Sequence, residues 1–525
     1  MTIDGARPNG YEVALTPEAQ QAPRPSGPEH GTRSRRYVFV GLALVFAASL
    51  WIRGPGFTQG GFANHDVGGI LYESMILADG GLPYVDTVEL KAPGTFYIAA
   101  LLAGADIAAL QVAANVTALL SLLALAAIAW RLWGGAAALL AAGLYALHDA
   151  ALDRMDANYV TWAQLPQILA MAAGLAAARA SGRRAWGWWL LAGAMCGAAA
   201  LCKQPSGVVL LPALLWARRR APLVLLGFAA MHAPVLLHYA AHGEVGALVR
   251  GYVFNRWGLD YITERGAALT ELWEGVLATV HVLALPLALA GFAVVGYLAR
   301  RTGPSGQDPA DRPGWMIAWT LATLAAACVG LRFFRGYYLA VLPPLCLLAA
   351  SPWGVRSLLQ ASVARVRAAA AGLLILALTV RATYDLAEIR ADRRRPHDEG
   401  ARAVARYVLQ HSAEGDTIWV WGWHLWGVHA LTGRMSGSRV YKTLGLLTPS
   451  GVDTWRRPAS PPDADPHSPW MAVLLADLER TRPAVIVLGG TTPRRGIDEL
   501  RRLLQAGYVR DACRIGKVEC WRRRD

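Results

Sequence analysis

Between Tyr37 and about Val380 the chain returns repeatedly to apolar runs close to twenty residues long. A helix of that length spans the ~30 Å hydrocarbon layer of a bilayer, and few other structures accommodate so many such runs. Candidate spans fall at 37–52, 94–111, 112–130, 134–148, 160–179, 186–202, 205–217, 221–240, 272–299, 314–330, 337–350 and 367–382. Composition agrees. Of the 525 residues 54% are hydrophobic and 17% charged, where a soluble domain carries about a quarter charged. The formal net charge of +14 is not a sign of nucleic-acid binding in such a chain. Arginine-rich loops report orientation first, and attraction to anionic lipid second.

Residues 1–36 lack an apolar period and read as a disordered cytoplasmic tail. No small-residue cleavage site follows the first span, so it reads as a retained helix rather than a signal peptide. Basic flanks at Arg33, Arg35 and Arg36, at Arg179, Arg183 and Arg184, at Arg218–Arg220, at Arg300 and Arg301, and at Arg356, Arg365 and Arg367 are expected in the cytoplasm. Loops 53–93, 149–159, 241–271 and 331–336 then fall outside, with everything after about 383. An even number of crossings must join 53–93 to 149–159, yet three apolar segments lie between them. One, within 94–130, is expected to be re-entrant or interfacial, which leaves eleven or thirteen spans.

The first outer loop is unusual. A plain connector is short, but Gly60–Tyr97 is long and holds Asp66, Glu73, Asp79, Asp86, Glu89 and Lys91. Ionisable residues at a membrane edge are costly and are functional candidates for that reason. Asp66 opens a helix-like stretch closed by Gly80-Gly81. It either caps that helix or serves as a general base. Lys91, before Ala92-Pro93-Gly94, either snorkels to the interface or holds an anionic headgroup. Lys203 interrupts two apolar segments in Cys202-Lys203-Gln204-Pro205, and Arg332 and Arg335 stand at a further outer helix end. Outer ends are ordinarily poor in Lys and Arg. Four cations there, on a predicted common face, point to an anionic ligand.

Asp153, Asp156 and Asn158 read as solvated residues of the second outer loop, with Asp156 and Asn158 also candidates for orienting a substrate beside Asp86, Glu89 and Tyr337. Arg250, Tyr252, Arg256 and Trp257 read as an interfacial belt. His65 has no second ligand at metal-binding spacing, so no metal is expected. Past 383 the chain changes character. A helical pattern at 398–412, strand-like runs at 417–421 and 484–488, a helix at 500–504 and two short strands around Gly516 suggest a small α/β domain. Cys513 and Cys520 flank that last hairpin, and a disulfide between them is compatible with an oxidising compartment.

These pieces together resemble a family: the polyprenyl-phosphate-dependent glycosyltransferases of the GT-C superfamily. The similarity is to glycosyltransferase family 39, related to protein O-mannosyltransferases and the aminoarabinose transferase of lipid A. The matching residues are Asp66, the run Leu77-Ala78-Asp79-Gly80-Gly81-Leu82-Pro83-Tyr84-Val85-Asp86, Lys91-Ala92-Pro93-Gly94, Gly193 and Gly197 leading to Ala200-Leu201-Cys202-Lys203, and Tyr337-Tyr338-Leu339 with Leu342-Pro343-Pro344-Leu345. Trp419-Val420-Trp421-Gly422 and Thr432-Gly433-Arg434 look like the outer domain of bacterial members.

The resemblance implies an α-helical polytopic membrane protein of GT-C type, with a disordered tail at 1–36, a catalytic membrane domain at 37–382 and an extracytoplasmic α/β domain at 383–525. It also implies that Asp66 is the catalytic base and that Lys91 contacts the donor phosphate; Lys203, Arg332 and Arg335, cations at outer helix ends, are expected as further phosphate ligands. The donor would be a polyprenyl-phosphate-linked sugar. The acceptor would be a protein, lipid or glycan hydroxyl, and no cofactor is required. Many members carry Asp-Glu where Asp66-Val67 stands, Lys-Pro-Pro where Lys91-Ala92-Pro93 stands, and a His in place of Gly336. These departures bear on sugar and acceptor rather than on reaction type. The rival class, a transporter or flippase of lipid-linked sugars, predicts repeated halves and mid-membrane charges. Neither is seen in the sequence.

Overall fold

The computed structural model describes residues 28–59, 61–62, 65–103, 106–254, 269–299, 313–329, 332–353, 365–395, 397–443, 446–448, 463–513 and 515–524. Most of the tail expected at 1–36 lies outside them, as do Arg256 and Trp257. The helix Pro28–Ile52 takes in the last residues of that tail. Among the described residues eight helices are long and apolar enough to cross a membrane, and Gly314–Cys328 is a shorter apolar helix.

The span expected at 94–111 is instead the ten-residue helix Gly94–Ala103, followed by Ile107–Trp133. At 1.5 Å per residue the former is ~15 Å long, half the hydrocarbon thickness. The eleven or thirteen spans expected compare with eight such long helices among the described residues. Leu342–Ala350 is also short, with nine residues. Leu210–Ala217 continues a 3₁₀ segment, Gln204–Val209.

Small residues set the tightest helix crossing. A Cβ on Gly193 would lie 1.9 Å from the Val224 carbonyl oxygen, and one on Gly227 would lie 2.0 Å from that of Leu190. The helices Gly182–Cys202 and Ala221–Ala241 therefore meet backbone to backbone, which in lipid is how packing replaces the hydrophobic drive. The central core draws on Leu122, Tyr145, Met171, Trp189, Trp319 and Leu345, all buried.

A buried ionic knot ties the first helix to the bundle. Arg53 donates from Nη2 to Asp149 Oδ2 at 2.8 Å and to Asp153 Oδ2 at 2.9 Å, and from Nη1 to Asn115 Oδ1 at 3.0 Å. Asp153 is thus a buried ion-pair partner and not a solvated loop residue. Asp156 is buried too: its carboxylate accepts from the Gln111 amide and, at 3.0 Å, from the Ala157 N–H. The shared guanidinium is what permits Asp149 and Asp153 there, whereas Asp156 is hydrogen-bonded through Oδ1 alone.

The C-terminal region holds a four-stranded sheet of order β1-β2-β4-β3, with β1 Ile418–Trp421, β2 Val485–Leu488, β3 Tyr508–Asp511 and β4 Glu519–Arg523. β1 and β2 are parallel and the other pairings antiparallel. Both parallel strands are buried throughout, as near-continuous runs of branched and aromatic residues require. Helices Glu399–His411 and Asp498–Gly507 stand where the pattern placed them, and Pro469–Thr481 is an additional one. Cys513 and Cys520 are disulfide-bonded.

The loop from Gly61 to Pro93 is sandwiched between this region and the bundle. The Ser436 N–H donates to Tyr72 Oη at 3.0 Å, and the Val88 N–H to the Arg439 carbonyl at 2.9 Å. The sheet region and the acidic loop therefore share one end of the molecule.

Candidate active site

Asp66 is the second residue of the helix His65–Ala78. The residue before a helix is its N-cap, so Asp66 is not the cap; it lies in the first turn, where the helix dipole favours a negative charge. Gly80, at φ 81°, ends the helix, and the Gly81 N–H bonds back to the Ile76 carbonyl at 2.9 Å. Asn158, from the loop before the helix Tyr159–Arg179, donates from Nδ2 to Asp66 Oδ2 at 3.2 Å. Burial alone would raise the Asp66 pKa. Lys91 and Lys442, with the Asn158 hydrogen bond, outweigh it and hold the carboxyl below its ordinary range. Burial pushes the neighbouring His65 down to about 4, so its ring is neutral at neutral pH.

Lys91 is held by the turn before it. The Tyr84 hydroxyl donates to the Lys91 carbonyl, and Glu89 Oε1 accepts the Lys91 N–H at 3.0 Å. Its Nζ lies 5.6 Å from the centre of the Tyr159 ring. Burial works against this charge, but Asp66 foremost, then Tyr337 and Glu89, raise its pKa above the ordinary lysine value. The carboxylate and the ammonium therefore stabilise each other's charged form.

Lys203 reaches the same place from the bundle. Pro205 cannot continue the helix Gly182–Cys202, so Lys203 takes an extended conformation at the break. Its Nζ lies 4.1 Å from the centre of the Tyr337 ring. A Cβ on Gly94 would be 2.6 Å from the Leu201 carbonyl, so only glycine lets the end of the lysine loop settle on this helix. The Gln204 side chain then donates to the Leu90 carbonyl at 3.4 Å. Burial, with Lys91 adding to it, pushes the Lys203 ammonium down to about 7. A bound anion would restore its charge.

Arg332 is fully buried and close enough to bear electrostatically on Lys91. Arg335 is not beside it. It lines a separate groove with His148, His281, Arg381 and Asp385. The two arginines would share a helical face, but the chain turns at Phe333 (φ 55°) before the 3₁₀ segment Arg335–Ala340 begins.

Asp66, Lys91, Asn158, Lys203, Arg332 and Tyr337 thus gather at one end of the bundle. Asp86 instead closes its own turn by accepting the Leu82 N–H at 2.7 Å, and Asp156 anchors Gln111. Glu89 faces the C-terminal region, where Tyr441 and Lys442 meet it. Those two residues carried no signal in the sequence. They lie in a polar stretch and acquire meaning only by pairing with Glu89. Among the described residues no three His, Cys, Asp or Glu side chains are grouped to hold a metal ion.

Comparison with known proteins bears on this arrangement. Residues 91–234 match the family model of dolichyl-phosphate-mannose-protein mannosyltransferases. No curated protein sequence gives a significant match. The fold is similar to that of ArnT from Cupriavidus metallidurans bound to undecaprenyl phosphate, with TM-score 0.58 and 16% identity over 91% of this chain and 97% of that one. It is also similar to the apo oligosaccharyltransferase of Archaeoglobus fulgidus, with TM-score 0.53 and 13% identity over 86% of this chain and 69% of that one. A further match is AglB of the same organism with an inhibitory peptide and a dolichol-phosphate, with TM-score 0.51 and 14% identity over 87% and 69%.

The fold is ArnT-like, a multi-span helical membrane protein with a small C-terminal mixed sheet, as the resemblance implied. The match at 91–234, which starts at Lys91 and takes in Lys203, makes that part of the chain similar to the dolichyl-phosphate-mannose-protein mannosyltransferases.

Proposed function

We propose that the protein transfers a sugar from a polyprenyl monophosphate to an acceptor hydroxyl, with inversion at the anomeric carbon. The observation that carries this reading is the pairing of a carboxylate held ionised, Asp66, with the half-buried cation Lys91. Asp66 takes the proton of the acceptor hydroxyl as that oxygen bonds to the anomeric carbon. The bond from that carbon to the phosphate oxygen breaks, and its electron pair stays with the lipid phosphate. Lys91, Lys203 and Arg332 balance the charge that grows there. Asn158 orients Asp66, and Tyr337 keeps Lys203 in place. Arg335, turned into its own groove, is the outlier of the four cations.

The reaction end faces outward in this proposal. Arg183 and Arg184 start the helix that ends at Lys203; its 21 residues put them ~30 Å away, at an end that the positive-inside bias assigns to the cytoplasm. The disulfide in the sheet region agrees with an oxidising compartment on the reaction side. The division into a membrane catalytic part to about 382 and an extracytoplasmic part beyond it is part of the same reading.

The test incubates the purified protein in lipid nanodiscs with labelled polyprenyl-phosphate sugars and a membrane fraction as acceptor source. Label leaving the lipid into a covalent product is expected; lipid-linked sugar staying intact throughout would overturn the proposal. Lys91→Ala should weaken binding of polyprenyl monophosphate by about 1.5–3 kcal/mol, roughly 10- to 100-fold, the usual worth of a hydrogen bond to a charged group. Unchanged affinity would remove Lys91 from the phosphate site.

A further inference from the structure

Glu89 bonds both to the lysine loop and to the C-terminal region. It is 1% exposed. Its Oε1 accepts the backbone N–H groups of Leu90 at 2.6 Å and Lys91 at 3.0 Å. Its Oε2 accepts the Tyr441 hydroxyl at 2.8 Å and the Lys442 ammonium. Lys442 is itself buried, with its Nζ 5.1 Å from the centre of the Trp426 ring.

We propose that Glu89 and Lys442 form a positioning pair through which the C-terminal region sets the backbone, and hence the reach, of Lys91. The inference rests on the reading of Lys91 as a phosphate ligand. A buried ion pair is a poor source of stability, since desolvation offsets its attraction and an apolar pair would serve as well. What such a pair supplies is geometry. Four donors converge on one carboxylate, two of them from the peptide units that carry Lys91, so neither can shift without leaving a donor unmet.

The surroundings keep the charge on Glu89. Glu73 is also buried and accepts the Thr87 hydroxyl at 2.9 Å. Burial, then the neighbouring Glu89, push Glu73 upward, so it takes the proton. Burial works the same way on Glu89, but Lys442 outweighs it and keeps that carboxyl ionised. Of the two buried glutamates Lys442 therefore pairs with the ionised one, and that carboxylate is the one bonded to the Lys91 N–H. The C-terminal region is in this sense part of the donor site.

A double-mutant cycle in the full-length protein tests this, read as the dissociation constant of polyprenyl monophosphate in nanodiscs. Lys442→Met should weaken binding about tenfold. Added to Lys91→Ala it should weaken binding no further, because it acts only through Lys91. A merely structural residue would give losses that add. Where Met is not tolerated, Lys442→Arg, which keeps the charge and moves it, supplies the same cycle. If Lys91→Ala leaves the affinity unchanged, the donor-site reading itself fails. If Lys91→Ala weakens binding but the Lys442 variant does not, or the losses add, the positioning inference is wrong and the donor-site reading stands.

Discussion

Asp66→Asn should cut sugar transfer by about 10²–10⁴-fold, the range over which a positioned general base contributes, while the protein still inserts and binds polyprenyl monophosphate. The amide keeps the size of the carboxylate and one acceptor for Asn158, but it cannot take a proton at neutral pH. The substitution also removes the negative charge that raises the Lys91 pKa. Lys91 remains a cation through Glu89 and any bound phosphate, so donor affinity should hold. The measurement is single-turnover transfer with saturating donor lipid, beside a binding isotherm. Transfer at the parent rate would dismiss Asp66 as the base, and a loss confined to binding would reassign it to the donor site. The lowered Asp66 pKa adds a pH expectation. The acid limb that this group imposes on kcat/KM should fall below the ordinary carboxylate range, and Lys442→Met should move it upward by removing one of the cations that hold it down.

Arg53→Met should destabilise the protein by about 3–5 kcal/mol, since it strands charge that has no water to return to. Asp149 Oδ2 and Asp153 Oδ2 both rest on one guanidinium group, and Asn115 orients it. Without it, two buried carboxylates face each other. The knot also sets where the acidic loop begins, since the short helix Gly54–Thr58 follows at once. Thermal unfolding in detergent measures the loss as a lowered midpoint. Adding Asp149→Asn and Asp153→Asn to Arg53→Met should recover much of it, because the uncompensated charges then disappear. A midpoint unmoved by Arg53→Met alone would show that the carboxylates find other relief.

Legibility in the sequence followed cost. Asp66, Lys91, Lys203 and Arg332 stood out because a charge beside a long apolar run is expensive and needs a reason. The fold gathers them. Arg335 looked like their companion by spacing, and backbone geometry at Phe333 separated it. Asp153 looked solvated because loops ordinarily are, and a cation a hundred residues away in the sequence made burial tolerable. Lys442 gave no signal, since a lysine in a polar stretch costs nothing until the fold buries it.

The sequence by itself determined the class of solvent, most of the long helices, the strands of the small sheet, and the residues whose charge demands an explanation. Those are local matters: run length, period and the transfer cost of single side chains. Tertiary structure alone decided which charges share a site, which carboxylate carries the proton, and how the last part of the chain bears on a lysine near its start. These depend on distances between residues hundreds of positions apart and on water excluded jointly by several elements. No property of a single stretch of chain encodes either.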